Sequence, residues 1–137
     1  MKGKFLLYTG AVLLMASVTV FADEASDEYR KLMQPAAQAN MALQAASKTD
    51  LAATAKAAGD VQAAFAKIEA YWAKTSTADA VGFAKGAQAA AKEVETAAKA
   101  GDKDATAAAA GKIGANCAGC HMAHRTRLPD NTFQLKP

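Results

Sequence analysis

The chain is predicted to be all-α, an antiparallel up-down-up-down bundle of four helices. Three observations carry that expectation. Four stretches repeat apolar residues at spacings of three and four, the period of one helix face. Short polar breakers separate them, and short connections make consecutive helices antiparallel neighbours. Alanine, the best helix former, dominates beyond residue 22, and no alternating or β-branched pattern precedes residue 117.

The first helix is expected to start near Ser26, with Asp27 and Glu28 in its first turn complementing the helix dipole. Its apolar series is Tyr29, Leu32, Ala36, Ala39, Leu43 and Ala46. Ser47-Lys48-Thr49-Asp50 breaks the pattern and caps the next helix, Leu51 to Lys74. The seam of that helix is Leu51, Thr54, Ala58, Val61, Phe65, Ile68 and Trp72, with Gly59 an internal weakness of about 1 kcal/mol relative to alanine. Ser76 and Asp79 resemble a capping box opening the third helix, whose face is Ala80, Ala84, Ala87, Ala91, Val94 and Ala98. Gly101 stops it, and Asp102 caps the fourth, with Thr106, Ala110, Ile113, Cys117, Cys120 and His124 on one side. Alanine matches any apolar template, so the large residues carry this assignment.

The N-terminus has the pattern of an export signal. Lys2 and Lys4 precede an apolar run from Phe5 to Val20, and Val20-Phe21-Ala22 resembles a small-residue cleavage site before the acidic Asp23-Glu24. A membrane anchor is the competing reading, because the run approaches a span in length. The cleavage site favours removal of residues 1–22 and no stable membrane insertion afterwards. No Cys follows the apolar run, which argues against a lipid anchor.

Removing 22 residues leaves 115 of the 137, one small domain. Losing Lys2 and Lys4 takes the 16 basic residues to 14 against 13 acidic, a formal charge of +1. That is no basic field for nucleic acid. Alanine buries little apolar surface, so the polypeptide alone has a thin core.

The chemistry of the chain is concentrated in Cys117-Ala118-Gly119-Cys120-His121. Cys-x-x-Cys-His is the attachment signature of c-type haem. Two thiols at this spacing can add to the two vinyl groups of one haem, and the next residue puts an imidazole under the iron. On a helix the three residues fall at i, i+3 and i+4, on one face. Cys117 and Cys120 are then the thioether residues of one covalently attached haem c, and His121 is the proximal axial ligand. Three other readings compete. A thioredoxin-like motif opens a helix after a strand. A zinc site wants four ligands, and the two Cys and two His of this chain are crowded between Cys117 and His124. A disulfide across the motif would be strained in a helix. Bacterial haem attachment takes place outside the cytoplasm, which agrees with an export signal and points to the periplasm.

The chain resembles the four-helix c-type cytochromes of the cytochrome c′ family, particularly their low-spin, Met-ligated relatives. The likeness spans essentially all of residues 23–127. It rests on the haem motif in the last helix, on His124-Arg125 within Cys-x-x-Cys-His-x-x-Tyr/Phe-Arg, and on Tyr29-Arg30-Lys31-Leu32-Met33 in the first helix. The resemblance implies a haem enclosed by the bundle and Met33 as the sixth iron ligand. Met41 is a weaker candidate for that role, and Met122, next to His121, cannot reach the opposite haem face. The resemblance also places Arg125 near the proximal His and the haem propionates, with a surface arginine as the alternative.

The chain departs from the family at several positions. Arg30 lies three residues before Met33 rather than four, which leaves a propionate role and a solvated role equally open. Pro35 removes a helical hydrogen bond and predicts a kink beside the haem, or a helix restart. His124 replaces an aromatic residue and is not expected to ligate iron. The tail, residues 128–137, reads as a turn followed by an alternating segment with Phe133 and Leu135 on one side. It either packs over a haem edge or a bundle groove, or frays.

Two functions follow from different classes. The first is a soluble periplasmic electron carrier with His/Met-ligated iron, serving redox partner proteins. The second is a five-coordinate, cytochrome c′-like haem protein that binds or senses NO or CO. An enzyme is not expected, because no acid–base residue is visibly placed on the first helix for it. The oligomeric state is left open, a homodimer included.

Overall fold

A computed structural model describes residues 16–136, with side chains from Ser26 onward. The basic n-region and residues 5–15 of the apolar run lie outside the described residues. Four helices and one small hairpin follow one another: α1 (Ala16–Ala46), α2 (Leu51–Lys74), α3 (Ala78–Lys99), α4 (Lys103–His124), β1 (Arg125–Arg127) and β2 (Phe133–Leu135).

The breakers act largely as their chemistry requires. Asp50 accepts from the Ala53 amide at 2.9 Å, and Asp102 from the Ala105 amide at 2.9 Å, each satisfying an orphan donor of a first helical turn. Gly101 adopts φ 77°, where a Cβ would be strained, and turns the chain between α3 and α4. At α3 the cap is Thr77, which makes no side-chain capping bond. The expected Ser76–Asp79 box is not formed, because Ser76 itself turns the chain at φ 56° and Asp79 binds the Ala80 amide and His124 instead. α1 begins at Ala16 rather than near Ser26, and it continues through the expected cleavage point at Ala22. It also runs through Pro35 as one element, so no new helix starts there.

α1 packs on α2, α2 on α3 and α3 on α4, while little direct packing joins α1 to α4. The four helices, with their short connections, match a four-helix bundle with one loosely closed side. The hairpin spans that side. β1 leaves the last turn of α4, and antiparallel β2, with Arg125 opposite Leu135, docks on α1. The tail therefore belongs to the domain, and the frayed alternative does not hold. Leu135 packs against the core, its amide 3.3 Å from Ser26 Oγ, and the Lys136 amide donates to the His124 carbonyl at 2.9 Å.

The core follows the expected seams. Ala80, Ala84, Ala87, Ala91, Val94 and Ala98 are all buried on α3. The largest fully buried apolar side chains are Leu43, Ile68, Ile113, Val61 and Val94; the rest of the core is mostly alanine. Thr54 and Thr106 are also sealed inside, with their hydroxyls donating to the Asp50 and Asp102 carbonyls at 2.7 and 2.5 Å. At the end nearest the hairpin, Tyr29, Tyr71 and Trp72 form an aromatic cluster with centroids 5.2–5.3 Å apart. No helix among the described residues is long and apolar enough to cross a membrane.

Candidate cofactor-binding site

The Cys-x-x-Cys-His stretch occupies the last two turns of α4, where helical spacing puts its three chemical groups on one side. Cys120 is buried, and Cys117 and His121 are half-buried. Gly119 packs closely on α3: a Cβ there would lie 2.5 Å from Cε1 of Phe83.

A cleft of about 550 Å³ opens between α1, the end of α4 and the hairpin. That lies within the range of about 300–1,000 Å³ usual for small-molecule and cofactor pockets. α1 contributes Tyr29, Arg30 and Met33; α4 contributes Cys120, His121 and His124; Arg125, Phe133 and Leu135 close the rim. A small void continues inward from it, bordered by Cys117, Phe65, Ile68 and Phe83. Tyr29, Met33, Cys120 and His121 border both spaces. The structure thus brings Met33 together with Cys117, Cys120 and His121. It leaves Met41 and Met122 out, at 70% and 75% exposure.

Burial sets the protonation states here. It pushes the Cys117 and Cys120 thiols up from their ordinary values. Burial, then the nearby Arg125 guanidinium, pushes His121 down, so its imidazole is neutral near pH 7 with a lone pair to give. Burial also pushes the Tyr29 phenol far up, which keeps it uncharged.

Both cysteines are free. A reactive thioredoxin-like thiol needs a depressed pKa at a helix N-terminus, and these thiols are raised and lie at a helix C-terminus. Among the described residues no group of three or more His, Cys, Asp or Glu converges as a metal-ligand set. The donors present would suit a haem, which needs few iron ligands from the protein. An imidazole and a thioether on facing helices, with two thiols on the imidazole's own helix, match those demands.

His124 borders the cleft, and its Nδ1 is buried without a hydrogen-bond partner. The side chain is buried, its Nε2 lies 3.0 Å from Asp79 Oδ2, and its ring sits tilted at 45° with its centroid 5.1 Å from that of Trp72. Arg125 lies just past the helix end, exposed, with its guanidinium carbon 3.7 Å from the centroid of the Phe133 ring. Arg30 is exposed and paired with Asp27 at 2.5 Å, yet it borders the same cleft. Sequence reasoning missed Asp79 as the partner of His124 and Phe83 as the neighbour of Gly119. Both contacts join α3 to α4, and no local spacing signals them. No family model, curated protein or solved structure matches the chain.

Proposed function

We propose that this protein is a c-type cytochrome that carries single electrons. Cys117 and Cys120 would hold one haem c through thioether bonds, and His121 and Met33 would bind its iron. The carrying observation is that Met33 of α1 borders the same cleft as Cys120 and His121 of α4. The haem supplies a one-electron Fe(III)/Fe(II) couple. The protein's part is to hold and tune it. His121, kept neutral by burial, provides a donor nitrogen. Met33 provides a soft thioether that favours the reduced metal. Tyr29, Leu135 and Phe133 supply apolar wall to the cleft. With His121 and Met33 both holding the iron, the site would suit electron transfer rather than substrate binding at the metal.

The mature protein acts in the periplasm after cleavage near Ala22. Its partners are redox proteins, and neither nucleic acid nor a membrane is among them. The test is expression with a periplasmic haem-attachment system, followed by haem staining after denaturing electrophoresis and by intact mass. The stain should persist and the mass should correspond to residues 23–137 plus one haem. Cys117→Ser/Cys120→Ser should lose both. A stain-negative, colourless wild type would end this proposal. Fast CO binding by a high-spin wild type would instead favour the gas-binding alternative.

A further inference from the structure

The exposed Arg125 is held in place by an aromatic ring from a segment that comes back from the far side of a turn. Its guanidinium carbon sits 3.7 Å from the centre of the Phe133 ring, within the range of a cation–π contact. Arg127 and Phe133 are cross-strand partners in the hairpin, so Phe133 is fixed by backbone pairing. The strand that bears it is tied down twice, through Leu135 to Ser26 of α1 and through Lys136 to His124 of α4. Phe133 is itself 39% exposed and adds little to the core. Its position is better explained by what it holds.

We propose that Phe133 is a positioning residue that holds the Arg125 charge at the rim of the cleft and so raises the reduction potential of the cofactor. This rests on the haem reading above. A fixed positive charge near the iron disfavours the more positive Fe(III) state. Arg125, Phe133 and His121 all line the same cleft, so the held charge lies at the rim of the site. Without the ring, Arg125 is a solvated side chain whose charge is averaged over many rotamers and screened. The neighbouring Arg30 also borders the cleft but is directed to Asp27 on its own helix.

The experiment compares equilibrium reduction potentials of the haem-loaded wild type with Phe133→Leu, Arg125→Gln and the double variant. Leucine keeps apolar bulk and lacks the π-face, so folding is preserved. Arg125→Gln should raise the oxidised-to-reduced ratio at a fixed poise several-fold, and Phe133→Leu should do so to a smaller extent. In the Arg125→Gln background, Phe133→Leu should add nothing, since no charge remains to position. Phe133→Trp, which restores a face for the guanidinium, should return the wild-type potential. An unchanged potential in Phe133→Leu, or additive shifts in the double variant, would overturn the proposal while the haem reading stands. A wild type without attached haem would instead defeat the haem reading itself.

Discussion

Gly119 and Phe83 meet so closely that a methyl group on residue 119 would sit 2.5 Å from the Phe83 ring edge. The contact couples the packing of α3 and α4 to the placement of the cysteine motif. A side chain here must push the ring or the helix aside. Gly119→Ala should therefore destabilise the protein by about 1–3 kcal/mol, despite alanine's better helix propensity. Thermal unfolding checks this, and Phe83→Leu should restore part of the loss. An unchanged or raised Tm in Gly119→Ala would mean that the contact relaxes freely.

The core depends on few large side chains, so each should be costly to remove. Ile113 is fully buried in a core made mostly of alanine. Ile113→Val should cost about 0.5–1.5 kcal/mol, and Ile113→Ala about 2–5 kcal/mol. Denaturant unfolding of the two variants provides the measurement. Met41→Ala, at an exposed position, should be nearly neutral by comparison.

Acid should weaken the contact between α2 and α3 through one carboxylate. Hydrogen bonds from Lys99, then from Gln62 and Lys92, hold Glu95 down at about 2, against an ordinary value of 4.5. A depressed folded-state pKa contributes stability that is present above the unfolded value and lost as the proton is taken up. Its contribution should therefore fade as pH drops from about 4.5 toward about 2. Glu95→Gln should be less stable near neutral pH and should lose less stability across that window. Equal slopes of stability against pH for the two proteins would contradict this.

Folding should also depend on the cofactor. Apolar burial contributes about 25 cal/mol per Å², and an alanine offers little of it. The loosely packed side between α1 and α4 is where a bound haem would add apolar contact. Cys117→Ala/Cys120→Ala should be partly helical but melt at lower temperature and less cooperatively than the haem-loaded protein. Equal cooperativity and Tm would show that the bundle is complete without it.

Much of this fold was legible because helix periodicity is local. Tyr29, Ala36 and Leu43 repeat every seven residues, and all three are buried. The same repeat puts Met33 beside the buried face and turns Met41 away from it. The inward stripe is wider than one seam: Ala57, Ala64, Tyr71 and Ala109 are buried too, since each helix touches neighbours on more than one side. The caps at Asp50 and Asp102 were readable from single residues. The pairing of His124 with Asp79 was not, because it links residues that only the tertiary fold brings together. The hairpin was half legible, as the alternation of Thr132 to Leu135 shows, but its partner strand is Arg125–Arg127, a short polar stretch without a strand signature.

The most direct measurement is the absorption spectrum of the purified mature protein, ferric and ferrous, beside that of Met33→Ala. Haem held by His121 and Met33 predicts a low-spin wild type whose ferric form shows the weak long-wavelength sulfur-to-iron charge-transfer band. Met33→Ala should lack that band, turn high-spin and take up CO in the ferrous state. A colourless wild type would contradict the haem. A wild type already high-spin and open to CO, or a band that survives in Met33→Ala, would contradict the ligand pair.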